Sequence, residues 1–152
     1  MPISNVFSAC AAAGILLLAS APHGFAQMKS DAVLIEAAKE PDAKVTASGL
    51  VIRMLKEGKG AQPNVASTVK VHYKGTFPDG KEFDSSYKRG EPIEFPLTGV
   101  IKCWTEGVAL MKVGGAAKLT CPSSIAYGAR GAGGVIPPNA TLVFEVELLG
   151  VR

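Results

Sequence analysis

Tyr73, Phe83, Phe95, Trp104, Tyr127 and Phe144 are spread along the chain, and Asp84 stands beside Phe83; from these side chains a working site can be assembled. In a fold this small the rings must converge, and two outcomes stay open. Either they are core and nothing more, or several remain partly open and line an apolar cleft whose polar groups are the Tyr127 hydroxyl and the Asp84 carboxylate. Other chemistries lack their parts. A hydrolase triad needs a base and an orienting carboxylate, and beyond the first 26 residues the single histidine, His72, falls on the polar face of a strand. The glycine-rich stretch 128–134 has no Lys-Ser/Thr and does not join a strand to an amphipathic helix, so it is no phosphate loop. Asp84 and Glu94 have no reason to pair as glycosidase carboxylates. Beyond residue 26, two thiols and one histidine without ligand spacing offer no metal site, and nothing in the pattern calls for a cofactor.

The elements that must position these side chains are legible from periodicity. From Val45 onward short alternating segments are separated by Gly, Pro and Asp, which indicates antiparallel sheet. Strands are expected at 50–55, 68–76, 81–84, 92–97, 116–121 and 141–149, with a turn at Pro78-Asp79-Gly80. In the second of these Val69, Val71 and Tyr73 share one face while Lys70, His72 and Lys74 share the other. Residues 85–90 read as a polar bulge or loop. Ile101, Trp104, Val108 and Met111 recur at three- and four-residue steps, which places a short helix over 101–111 with that face on the sheet. Gly114-Gly115 ends it. The long segment 122–139, rich in Gly and Pro, is of a length usually reserved for function. Before the sheet, 31–40 favours a short helix stopped by Pro41. The fold class expected is α+β, an antiparallel sheet curved around one short helix.

Length bounds the rest: 152 residues hold one domain and an appendage. Sixteen Lys+Arg against thirteen Asp+Glu give a net charge of +3, with the basic residues scattered, so no nucleic acid partner is expected. Residues 1–26 carry no charged side chain, and the apolar run 6–21 is followed by small residues at Gly24 and Ala26. This reads as a secretory signal peptide cleaved after Ala26, although its start lacks Lys or Arg. The run is short for a membrane span of ~20 residues. Cys10 lies too near the N-terminus for a lipoprotein site. The expected division is a signal peptide over 1–26, a partly helical extension over 27–46 and a domain over 47–152, periplasmic or secreted and monomeric. Export leaves Cys103 and Cys121, which either pair, as an oxidising compartment favours, or remain buried thiols.

Six motifs then point to a family: Val71-His-Tyr-Lys-Gly75, Asp79-Gly-Lys-Glu-Phe-Asp-Ser-Ser86, Val100-Ile-Lys-Cys-Trp-Thr-Glu-Gly107, Met111-Lys-Val-Gly-Gly115, Ala126-Tyr-Gly128, and the stretch from Ile136-Pro-Pro to Phe144. In order and approximate spacing they resemble the FKBP-type peptidyl-prolyl cis-trans isomerases, over Ala47 to the C-terminus. The leader and short extension resemble the family's exported bacterial branch. The resemblance implies a sheet of five to six antiparallel strands curved around a short helix, with the active cleft between them. It implies catalytic roles for Tyr73, Phe83, Asp84, Trp104, Tyr127 and Phe144, with Trp104 as the floor. Ile93, Val100, Ile101, Val135 and Ile136 become substrate-binding residues, the last two on a loop flanking the cleft. Proline-containing unfolded or partly folded polypeptides are the implied substrates, and macrolide immunosuppressants the implied inhibitors. Ile93 departs from the family's frequent aromatic, Ala132 stands where some members carry His, and the loop at Thr98-Gly99 is shorter than in the best-known small members. A binding module or chaperone that uses the same cleft without catalysis is the alternative activity.

Overall fold

The computed structural model describes residues 23–152. The expected signal peptide lies almost wholly outside the described residues. The first element, α1 (His23–Ala38), begins earlier than the helix expected over 31–40 and runs through the anticipated cleavage position after Ala26. Ala26, Gln27, Met28 and Lys29 all favour helix, so nothing local stops it there. Among the described residues no helix is long and apolar enough to cross a membrane.

Seven strands follow: β1 (Ala43–Val45), β2 (Val51–Lys56), β3 (Thr68–Thr76), β4 (Glu82–Ser85), β5 (Ile93–Pro96), β6 (Ala116–Cys121) and β7 (Leu142–Val151). They form one antiparallel sheet in the order β1-β2-β6-β7-β3-β4, with β5 also paired to β3. The count exceeds the five to six expected because β1, from the extension, adds an edge strand through Ala43↔Arg53 and Val45↔Val51. The sheet therefore begins at Ala43, ahead of the boundary placed at Ala47.

The period-two pattern has the expected outcome in β3, where Val69, Val71 and Tyr73 are buried and Lys70 and Lys74 are exposed. In β7, Leu142, Phe144, Val146 and Leu148 are buried in the same alternation. Against this face lies α3 (Lys102–Ala109), which buries Cys103, Trp104 and Val108. Close approach is possible because Gly107 has no side chain: a Cβ there would stand 2.9 Å from both methyls of Leu119. Each buried side chain of Leu or Val size contributes roughly 1.5–3 kcal/mol.

One edge of β3 changes partner along its length. Residues 68–71 pair with β5 and 74–76 with β4, and the chain between those partners forms α2 (Ser86–Arg89). This single turn replaces the polar loop expected over 85–90. Ser85 caps it by accepting from the Lys88 N–H, and Gly90, at φ 76°, ends it in the left-handed conformation. At the gap the Ser86 hydroxyl stands in for a strand: it accepts from the Tyr73 N–H at 2.8 Å and donates to the Tyr73 carbonyl at 3.2 Å. His72 is less free than a solvent-facing strand residue, since its ring stacks on Tyr87 at 4.6 Å and Nδ1 lies 2.9 Å from the Ser86 hydroxyl.

Candidate active site

Trp104 lies on the first turn of α3, with Ile101 at the helix's N-cap position. The indole meets Tyr73, Phe95 and Phe144 edge-on, with centroids at 5.2, 5.5 and 5.5 Å and interplanar angles of 85°, 84° and 89°. Phe83 packs edge-on against Phe144 at 5.7 Å. Aromatic pairs in this geometry contribute about 0.5–1.5 kcal/mol beyond the area they bury. Gly75 makes room for the arrangement, because a Cβ there would lie 2.6 Å from the Phe83 ring and 3.1 Å from Phe144.

These rings surround an open cavity of about 540 Å³. Tyr73, Phe83, Asp84, Trp104, Tyr127 and Phe144 all line it, as do Ile93, Val100 and Ile101. Trp104 is only 5% exposed, yet it borders the cavity, so the indole is a floor rather than a sealed core residue. Tyr127 is 39% exposed and stands at the rim. Another groove of about 480 Å³, at the sheet edge by Asp42, Ile52, Met54 and Leu110, gathers no aromatic ring.

Val135 and Ile136 do not join this cavity. The bridge Ala132↔Ile136 folds the loop on itself, which turns Ile136 into the core at 6% exposure and leaves Val135 projecting outward at 56%. The long loop also contains two single turns of 3-10 helix, Ser123–Ile125 and Gly128–Arg130, and Tyr127 lies between them.

The polar wall holds a residue that sequence reasoning missed. Arg89, the last residue of α2, lines the cavity and donates from Nη1 to Asp84 Oδ1 at 2.6 Å and from Nη2 to the Tyr73 hydroxyl at 3.0 Å. The Tyr73 hydroxyl in turn donates to Asp84 Oδ2. The guanidinium also lies 5.7 Å from the Tyr73 ring centre. Partial burial pulls the Asp84 carboxyl upward, but the hydrogen bonds from Tyr73 and Arg89 and the Arg89 charge outweigh it and hold the group below the usual carboxylate range. Burial, reinforced by the Asp84 hydrogen bond and opposed by Arg89, pushes the Tyr73 phenol up. Phe95 and Gly99 complete the lining. The signals that could have found Arg89 are Ser85 and Gly90, a cap pair five positions apart that marks one helical turn.

A disulfide joins Cys103 to Cys121, with Cα atoms 5.9 Å apart, so the two thiols left open by the sequence are paired. The arrangement holds an aromatic floor, a phenol at the rim and a charged wall locked by its own hydrogen bonds. It can bind a compact apolar group and hold the polar chain on either side.

Residues 59–149 match the family model described as FKBP-type peptidyl-prolyl cis-trans isomerase. The chain is 55% identical over 115 residues to the "FKBP-type peptidyl-prolyl cis-trans isomerase FkpA" of Escherichia coli strain K12, an alignment covering 76% of this chain and 42% of that protein. It is 61% identical over 103 residues to "FK506-binding protein 1" of Dictyostelium discoideum, covering 66% of this chain and 96% of that one. The crystal structure of FkpA from Escherichia coli superposes with a TM-score of 0.82 at 49% identity, over 85% of this chain and 60% of that one. The chain thus spans less than half the length of the E. coli protein it matches.

Proposed function

The chain belongs to the FKBP-type peptidyl-prolyl cis-trans isomerases, and from that premise we propose that its aromatic cleft accelerates rotation about X-Pro bonds in unfolded or partly folded polypeptides. The observation that carries this reading is the Trp104 indole, held edge-on by three rings at the floor of a cavity large enough for a prolyl residue.

Rotation of the amide crosses a barrier of ~18–20 kcal/mol, because the C–N bond must lose its partial double-bond character. No covalent bond is made or broken. A catalyst therefore needs neither a nucleophile nor a metal, only a site that binds the twisted amide better than the planar one. The planar amide is the more polarised, so a dry aromatic surface disfavours it relative to the twisted form. Trp104, Phe83, Phe144, Val100 and Ile101 supply that surface, with the proline ring resting on the indole. Tyr127 donates its hydroxyl to a substrate carbonyl beside the rotating bond and so holds the chain while it turns. Asp84 acts chiefly by fixing Tyr73, and each tenfold gain in rate asks the pocket for about 1.4 kcal/mol.

The same cleft is the expected site for macrolide immunosuppressants, in keeping with the printed name of the Dictyostelium relative. The uncharged apolar leader supports export, with action on exported proteins in the periplasm. A protease-coupled assay on a short X-Pro peptide tests the activity. Trp104→Ala is expected to lose about a hundredfold in kcat/KM and Tyr127→Phe about tenfold, roughly 2.7 and 1.4 kcal/mol of barrier. Equal rates in all three proteins would remove the cleft from the reaction.

A further inference from the structure

The disulfide occupies a particular place. Cys103 immediately precedes Trp104 on α3, and Cys121 is the last residue of β6, from which Pro122 and the turn Ser123–Ile125 lead directly to Tyr127. One covalent bond therefore joins the segment bearing the cleft floor to the segment bearing its rim. Both cysteines are fully buried. On a helix consecutive side chains diverge by about 100°, so Cys103 can face β6 while Trp104 faces the cavity.

We propose that the Cys103–Cys121 bond is a positioning device for the proposed isomerisation: it fixes the Trp104 indole relative to the Tyr127 hydroxyl, so that both engage one X-Pro substrate at once. The inference rests on the isomerase reading and adds to it residues that touch no substrate.

The remaining restraints on α3 explain why a covalent tie matters. The helix has eight residues and no side-chain N-cap, and its packing at Gly107 relies on the absence of a side chain, which permits close approach but does not prevent sliding. Its polar anchors are the Thr105 hydroxyl, which donates to the Leu97 carbonyl at 2.6 Å, the Glu106 carboxylate, which accepts from the Ser48 hydroxyl, and the Ala109 carbonyl, which accepts from the Gln62 amide at 2.9 Å. Leu97 belongs to the neighbouring 3-10 turn Leu97–Gly99, and Ser48 and Gln62 lie on connecting segments, so none of these bonds reaches β6 and together they leave its distance from α3 unset. Beyond Cys121 the chain is constrained by Ile125 N–H to the Pro122 carbonyl at 3.1 Å, by Ala126 N–H to Ser123 at 3.0 Å, and by burial of Ile125. A shift at Cys121 is thus carried through this short turn to Tyr127. Misplacement of a reacting geometry by about 1 Å can cost up to about a hundredfold.

The test compares the oxidised protein with Cys103→Ala/Cys121→Ala, with Cys103→Ala/Cys121→Val, which refills lost sulfur volume without a bond, and with the natural sequence unfolded and refolded in dithiothreitol. Steady-state kinetics on an X-Pro tetrapeptide are read below every form's melting transition, beside the emission maximum and acrylamide quenching of Trp104, the chain's one tryptophan. We expect each bond-free form to keep its far-UV circular dichroism and to lose about tenfold or more in kcat/KM, mostly in kcat, with red-shifted emission and easier quenching. Unchanged kcat and an unchanged emission maximum with only a lower melting temperature would make the bond a stability staple and overturn the proposal. Should the alanine pair fail to fold, the Ala/Val pair carries the same comparison, and wild-type kinetics in it would overturn the proposal too. An oxidised protein without activity would instead overturn the isomerase reading itself, and this inference with it.

Discussion

At the scale of single residues, the proposed isomerisation divides the cleft into groups that would touch substrate and groups that hold those groups still. Asp84 illustrates the second kind: both its oxygens are already engaged, one by Arg89 and one by Tyr73. Its folded-state pKa lies below the unfolded value, so the contribution of the triad is fully present above the unfolded value and is lost as pH falls through the folded one. Activity is accordingly expected to stay flat from neutral pH down through the ordinary carboxylate range and to fail only below it. Arg89→Met removes the largest opposing charge and two hydrogen bonds, so the acid limb of the pH–rate profile should move upward. Asp84→Asn should abolish that limb and lower kcat/KM by about tenfold, or ~1.4 kcal/mol. An acid limb unchanged in Arg89→Met would show that the carboxylate's state does not reach the cleft. The sequence exposed Asp84 as a polar group beside an aromatic, but not Arg89. What makes Arg89 a cleft residue is the direction in which one turn of helix aims it, and a stretch read as loop has no direction to give.

At the scale of elements, alternation and three-to-four spacing located β2 to β7 and α3 closely, because both patterns report a face held against one core. Edges and loops were legible only in part. β1 has three residues and gains its identity from pairing with β2, not from its own sequence. Val135 and Ile136 are neighbours that the structure sends opposite ways, an outcome set by the Ala132↔Ile136 bridge that no local propensity announces. The hydroxyl of Ser86 is the clearest case of an element completed from outside, since it satisfies the backbone of buried Tyr73 on the edge of β3 that lies between β4 and β5, where no strand pairs with it. Ser86→Ala strands that N–H and carbonyl, at a cost of about 1–3 kcal/mol. Chemical denaturation should show that loss, and kcat should fall alongside it because Tyr73 carries one wall of the cleft. Ser86→Thr, which keeps the hydroxyl, should recover part of both; a stability loss with no change in kcat would mean that β3 holds Tyr73 in place unaided.

At the scale of the molecule, the sheet has two working faces, and they are predicted to be energetically separable. The inner face carries α3 and the cleft; the outer face receives α1, which lies against β1, β2 and β6. The link there is Glu40, whose two oxygens meet Arg53 at 3.0 Å and Lys118 at 2.6 Å, tying the turn after α1 to neighbouring strands. The Lys118 hydrogen bond, with help from Arg53, holds the Glu40 carboxyl below the usual range despite partial burial. The pair's contribution is therefore present above the unfolded pKa and lost as pH falls through the folded one. All three side chains retain some solvent exposure, so Glu40→Gln should cost about 1 kcal/mol or less. That loss should shrink at high salt and vanish at acid pH, where the natural carboxylate is itself neutral. Kinetics on a short X-Pro peptide should not change, because neither Glu40 nor its partners line the cavity. A fall in kcat for Glu40→Gln, in protein shown to be folded, would mean that the outer face transmits strain through β6 to the segment bearing Tyr127, and that the two faces act as one unit.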